Sequence, residues 1–197
     1  MAVTKASNSS IVNKQPKYIS LLAGNPYYTP PTFESIATAT GTGSSGTITF
    51  SSIPSTYKHL QIRINAIADG ASATSLRLQF NGITTTVYSY HALLGDGSSV
   101  TSTGTASQSE IRFNMPFSTT YPLVAIIDIS DYANTSKYKT VKALLGLSQN
   151  NTTASDQSVN LGSGLYQQTT AISSISVIHP SQNFTTATTI ALYGIKG

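Results

Sequence analysis

The chain has no cysteine and no tryptophan in 197 residues. Without thiols it can build neither a disulfide framework nor a thiolate metal site, and its redox compartment stays open. Without tryptophan it lacks the largest flat platform for stacking on a sugar. Charge is scarce as well: Asp, Glu, Lys and Arg together make up 9% of the residues, against the usual quarter. Disorder of the highly charged kind is therefore excluded. No apolar run reaches 18 residues, so no membrane-spanning helix is expected. The first twenty residues contain no apolar stretch of the kind that marks a secretory signal. With seven acidic residues and three histidines, the raw material for catalysis is thin, and no G-x-S-x-G elbow occurs.

What is present is hydroxyl-rich and β-patterned. Apolar residues alternate with Ser, Thr, Asn and Gln, and threonine's branched Cβ suits strands. Leu60, Ile62, Ile64 and Ala66 alternate with Gln61, Arg63 and Asn65, which predicts a strand over 58–68 with one wet face. Leu76, Leu78 and Phe80 repeat the pattern around Arg77 and Gln79, and Ile111, Phe113 and Met115 repeat it again. Asn81-Gly82 is the strongest hairpin signal, with a return strand expected over 84–90. The stretch Tyr121–Leu147 organises the rest. Its apolar run Leu123–Ile129 is broken only by Asp128, and a second run, Val141–Leu147, follows a turn-rich segment. Both read as long antiparallel strands at the centre of a sandwich. Further strands are expected over 34–40, 47–51, 159–166, 174–179 and 188–195. Residues 91–100 read as a loop, and 98–109 and 148–158 as polar loop tips. About ten strands and no convincing helix give an all-β chain, an antiparallel β-sandwich with the jelly roll as first choice of topology. An apolar strand runs almost to the last residue, so no further domain is expected after it.

The first 32 residues read differently. Residues 1–33 carry Lys5, Lys14 and Lys17 and no acid, while the remainder has eight basic residues against seven acidic. Asn25-Pro26-Tyr27-Tyr28 and Pro30-Pro31 resist helix and sheet alike. The expected organisation is an extended N-terminal arm, 1–32, and a sandwich body, 33–197. The arm is expected to dock on another protein through Lys5, Lys14, Lys17, Tyr18, Tyr27 and Tyr28. Three lysines without interleaved Arg and stacking rings do not point to nucleic acid.

Candidate chemistry is sparse. Asp128 and Asp131 lie three apart at a strand end, where capping of turn amides outweighs a glycosidase pair. Asp96 in Leu94-Gly95-Asp96-Gly97 resembles a fragment of a calcium loop without the acidic ladder. Gly41–Gly46 spells G-x-G-x-x-G between two short strands and opens no helix, so it is not a nucleotide loop. His59 and His179 stand alone. Eleven tyrosines suit interfaces and polar saccharides, and Tyr88, Tyr90, His91 and Asp96 are the candidate receptor-facing group. No catalytic, cofactor or metal residues are assigned, and no enzymatic activity is expected.

Several strings together resemble a known group. They are Thr49-Phe50-Ser51-Ser52-Ile53-Pro54, Tyr57-Lys58-His59-Leu60-Gln61-Ile62-Arg63, Leu78-Gln79-Phe80-Asn81-Gly82, Tyr90-His91-Ala92-Leu93-Leu94-Gly95-Asp96-Gly97 and Asp128–Thr135 with Lys137–Val141. The closing Ala191-Leu192-Tyr193-Gly194-Ile195-Lys196-Gly197 belongs with them. Over 33–197 they resemble small β-rich tail-fibre or virion appendage proteins of tailed bacteriophages, common in phages of cyanobacteria. The resemblance does not reach the arm. It implies a place in the virion, contact with tail, baseplate or capsid proteins, and host-surface contact, with a glycan as the candidate receptor. A capsid decoration protein and a carbohydrate-binding module are the competing readings. Few Lys or Glu guard the sheet edges, so a homo-oligomer is expected, with a trimer favoured.

Overall fold

Period-two alternation decides which side of each strand is buried, and it does so consistently along this chain. The structure, a computed structural model, describes residues 32–70, 75–150 and 157–197. Phe33–Gly197 forms one compact unit. Twelve strands are found among the described residues: β1 (Phe33–Thr40), β2 (Thr47–Phe50), β3 (His59–Ala66), β4 (Leu76–Phe80), β5 (Tyr88–Gly95), β6 (Val100–Gln108), β7 (Ile111–Phe113), β8 (Leu123–Ile129), β9 (Lys139–Ser148), β10 (Gln157–Tyr166), β11 (Ile175–Ile178) and β12 (Thr189–Ile195). They form an eight-stranded sheet in the order β1-β12-β3-β8-β9-β10-β5-β6 and a four-stranded sheet in the order β2-β11-β4-β7. Every pairing is antiparallel.

The topology is a jelly roll with two insertions. Take β1, β2, β3, β4, β7, β8, β11 and β12 and count them one to eight in chain order. Their sheets then run 1-8-3-6 and 2-7-4-5, the double Greek-key arrangement of that fold. The remaining pairs, β5 with β6 and β9 with β10, extend the larger sheet beyond β8 and join each other through β10 and β5. β8 and β9 are neighbours at the middle of the larger sheet, as the two apolar runs predict. Between the sheets lie Leu60, Ile62, Leu76, Leu78, Phe80, Ile111, Phe113, Ile127 and Leu192 among others, all essentially without solvent exposure.

Two glycines let the inserted strands close on the small sheet. A Cβ on Gly162 would sit 2.6 Å from the Phe113 ring, and one on Gly164 2.7 Å from Ile111. Both are closer than carbon atoms approach, so β10 presses its bare backbone against β7.

Three expectations are corrected. Asn81-Gly82 does form a tight turn, with φ of 55° and 66° and Ile83 N–H donating to Phe80 O at 3.0 Å. It does not make a hairpin, because β4 and β5 belong to different sheets. The Asn81 side chain turns the chain away: its Oδ1 accepts from Ser173 N and Ser174 N, and its Nδ2 donates to Ala171 O. Secondly, of the loop expected over 91–100 only 96–99 is a turn, since β5 runs through His91 to Gly95 and β6 starts at Val100. Thirdly, most of 98–109 is strand β6 rather than a loop tip. β6 lies at the sheet edge and is exposed on both faces, so it needs no apolar alternation, and backbone pairing with β5 holds it. Part of the second expected tip, 151–156, lies outside the described residues, as do Lys5, Lys14, Lys17, Tyr18, Tyr27 and Tyr28.

Candidate interaction face

Of the sequence-derived receptor group, only His91 faces fully outward. Tyr88 and Tyr90 occupy core-facing positions of β5 and are buried, which corrects their candidate role: a ring inside the sandwich cannot meet a receptor. Tyr88 packs against Tyr166 at 5.1 Å and Phe80 at 6.1 Å. Its hydroxyl accepts from Phe80 N and donates toward Phe80 O and Ile83 O, clamping the Asn81-Gly82 turn. Burial pushes that phenol up to about 12. Tyr132 and Tyr166 are also buried, while Tyr138 is exposed.

Asp96 is spent on its own turn. Its Oδ1 accepts from Ser98 N, Ser98 Oγ and Ser99 N, and its Oδ2 accepts from Ser99 Oγ, at 2.7–3.0 Å. These bonds hold its carboxyl far below the usual carboxylate range, and they occupy the oxygens a cation would need. Asp131 ties the β8–β9 connection instead of pairing with Asp128. Lys137 and Lys58 bond it, the latter at 3.1 Å, and hold its carboxyl down to about 2. Asp128 accepts from Gln61 Nε2 at 2.8 Å. The third histidine, His179, is buried with its ring 4.5 Å from Phe117 and accepts from Gln182 N. Among the described residues no group of three His, Cys, Asp or Glu could hold a metal ion.

The feature that does gather side chains is the outer face of the larger sheet. Register makes it a grid of three rows. The first row runs Arg63, Ile126, Leu144, Leu161, Leu93 and Ser102 across β3, β8, β9, β10, β5 and β6. The second, over the same strands, runs Asn65, Val124, Gly146, Val159, Gly95 and Val100. The third is polar: Gln61, Asp128, Lys142, Ser163, His91 and Gly104. Ile126, Leu144, Leu161, Leu93, Val124 and Val159 are each 42–51% exposed, and Val100 is 75% exposed. They form one contiguous apolar surface. Soluble monomers rarely expose patches beyond a few hundred Å², and larger ones mark interaction sites.

Three grooves open on this face. One of about 400 Å³ runs over Val124, Ile126, Leu144 and Val159 beside Arg63. A second, of about 660 Å³, follows Gly95, Val124, Gly146 and Val159. The third, of about 610 Å³, is flanked by His91, Lys142 and Ser163 over Leu93 and Leu161. The His91 ring covers Gly104, where a Cβ would meet it at 2.4 Å. Beyond β3 the face turns aromatic and polar. Phe33 and Tyr193 stack at 4.7 Å, and the Arg63 guanidinium sits 5.5 and 5.7 Å from their ring centres.

The residues of this face were not singled out by motif reading, although one signal was available. Leu123–Ile129 is apolar on both sides of its strand, a pattern expected where both faces of a sheet are covered. Within the described chain only one face of β8 is covered. No protein-family model and no curated protein matches this sequence.

Proposed function

We propose that this protein is a structural component of a tailed-phage virion, a tail-fibre or appendage subunit. In this reading its N-terminal arm docks on a tail, baseplate or capsid protein, and its jelly-roll body assembles with like bodies and meets the host surface. The observation that carries the reading is the contiguous apolar face on β8, β9, β10 and β5, which calls for a protein partner. The sequence resemblance over 33–197 supplies the particle. Scarce charge and the absence of cysteine suit a durable subunit working outside the cell. Burial of Tyr88 and Tyr90 removes two stacking rings from any glycan site and weighs against a free carbohydrate-binding module.

Immunogold labelling of intact particles with antibody to the body tests the reading. Gold at the tail or baseplate is the expected result. Gold over the head would instead assign the protein to capsid decoration, with the same apolar face clamping shell subunits. Particles without label would overturn both.

A further inference from the structure

We propose that the apolar outer face is a homodimer interface, in which a second copy of this chain lies face to face across a two-fold axis. The axis runs parallel to the strands and passes between β9 and β10. This goes beyond the virion reading and does not depend on it.

The register selects both the partner and the axis. The second row alternates large and small across β8, β9, β10, β5 and β6: Val124, Gly146, Val159, Gly95, Val100. A Cβ on Gly146 would touch only Val124, at 3.7 Å, and one on Gly95 only Val159, at 3.4 Å. Both glycines are therefore open notches toward the outside, each bordered by a valine ridge. An axis between β9 and β10 sets β9 over β10 of the second copy and β8 over its β5. Val124 then meets the second copy's Gly95, and Gly146 meets its Val159, so each ridge enters a notch. Leu144 meets Leu161 and Ile126 meets Leu93 in the first row. In the third row Asp128 faces His91, and Lys142 faces Ser163.

Axes that run through a strand fail on the same grid. An axis through β9 stacks Val124 on Val159 and Lys142 on itself. An axis through β10 stacks Val159 on itself and sets Lys142 against His91. Axes between β8 and β9 or between β10 and β5 also set ridges on notches, but the first lays Arg63 on Leu161 and Asn65 on Val159, and the second carries β8, with Val124 and Ile126, past the edge strand β6. The position between β9 and β10 alone sets Val124, Ile126, Leu144, Leu161, Leu93 and Val159 each on an aliphatic side chain or a notch, the self-complementarity that an isologous pair requires. The extent also suffices. Six strands at ~4.8 Å spacing and three rows at ~6.8 Å give on the order of 500 Å² in projection. For a corrugated surface this approaches the roughly 800 Å² per partner of a standard interface.

Sedimentation equilibrium of the full chain should give twice the chain mass at micromolar concentration, where a monomer or a trimer would overturn the proposal. Leu144→Arg should shift the equilibrium to monomer, with far-UV circular dichroism unchanged because Leu144 is half exposed. Thr49→Lys, on the far side of the small sheet, should leave the dimer intact. Gly146→Val separates this geometry from mere stickiness. It adds apolar surface, and its Cβ meets nothing within the subunit closer than Val124 at 3.7 Å, yet it fills the notch that receives Val159. Weakening of about tenfold or more is expected, the effect of about 1.4 kcal/mol. Adding Val159→Gly exchanges ridge and notch and should restore the dimer. Equal or tighter association of Gly146→Val, or no rescue by the second change, would overturn the proposed register.

Discussion

Lys139 is a charged residue in a place that charge normally avoids. It begins β9, has no solvent exposure, and donates from Nζ to the carbonyls of Lys137, Gln168 and Thr169 at 3.2, 3.1 and 2.6 Å. The ammonium thus fastens the segment after β10 to the start of β9. Lys139→Met keeps the length and loses the donors, leaving three carbonyls to find others. We expect a loss of about 3 kcal/mol, read from the urea midpoint, with the fold retained. His179 makes a second prediction at this scale. Burial pulls its pKa below the ordinary value, opposed in part by Asp69. The unfolded chain then binds the proton more readily than the folded one. Stability should hold above pH ~6.5, the unfolded value, and fall as pH drops below it. Urea midpoints at pH 7.5 and 5.5 measure the slope, and His179→Gln should flatten it. Neither role was legible in the sequence. Lys139 sits in a Lys-Tyr-Lys-Thr string that reads as a solvated turn, and its three acceptors include two from residues 29 and 30 positions away. His179 reads only as an isolated histidine.

At the scale of elements, legibility followed burial. Strands with one wet face, such as β3 and β4, declare themselves by alternation, and their inward sets Leu60/Ile62/Ile64/Ala66 and Leu76/Leu78/Phe80 are buried as read. β6 was missed because an edge strand exposed on both faces has no apolar period to show. The turn at Asn81-Gly82 was read correctly for its backbone and wrongly for its partners. Positive φ is a local property, whereas the choice of sheet is set by contacts with Ala171, Ser173 and Ser174 about ninety residues on. Gly162 shows the same limit, since in sequence it is only a glycine within a strand. In space it is where β10 meets Phe113 of β7. Gly162→Ala should therefore destabilise despite improving strand propensity, by about 2 kcal/mol, the usual cost of forcing a methyl into a packed core. A denaturation midpoint equal to that of the unaltered protein would mean that the two sheets can part there without strain.

For the whole molecule, the distribution of charge separates two kinds of attachment. Residues 1–33 hold three of the four net positive charges, and the remainder is nearly balanced. A body so close to neutral brings little self-repulsion to a face-to-face pair, and the first two rows of the paired face are mostly Val, Leu and Ile. In the proposed function, docking by the arm would rest on Lys5, Lys14 and Lys17. Salt therefore acts in opposite directions on the two. Raising ionic strength from roughly 0.05 M to about 1 M shortens the screening length from about 14 Å to 3 Å, which should release the arm from an acidic partner. Pairing of bodies should persist, and sulfate should tighten it by strengthening apolar burial. Deleting residues 1–32 gives the matching genetic test. The core from Ile48 to Leu192 lies within the unit that remains, so the truncated protein should unfold cooperatively within a few degrees of the full chain, still pair in solution, and fail to join particles. A truncated body that no longer folds would make the arm part of the core. Particles that still take up the truncated body would move attachment onto the sandwich itself.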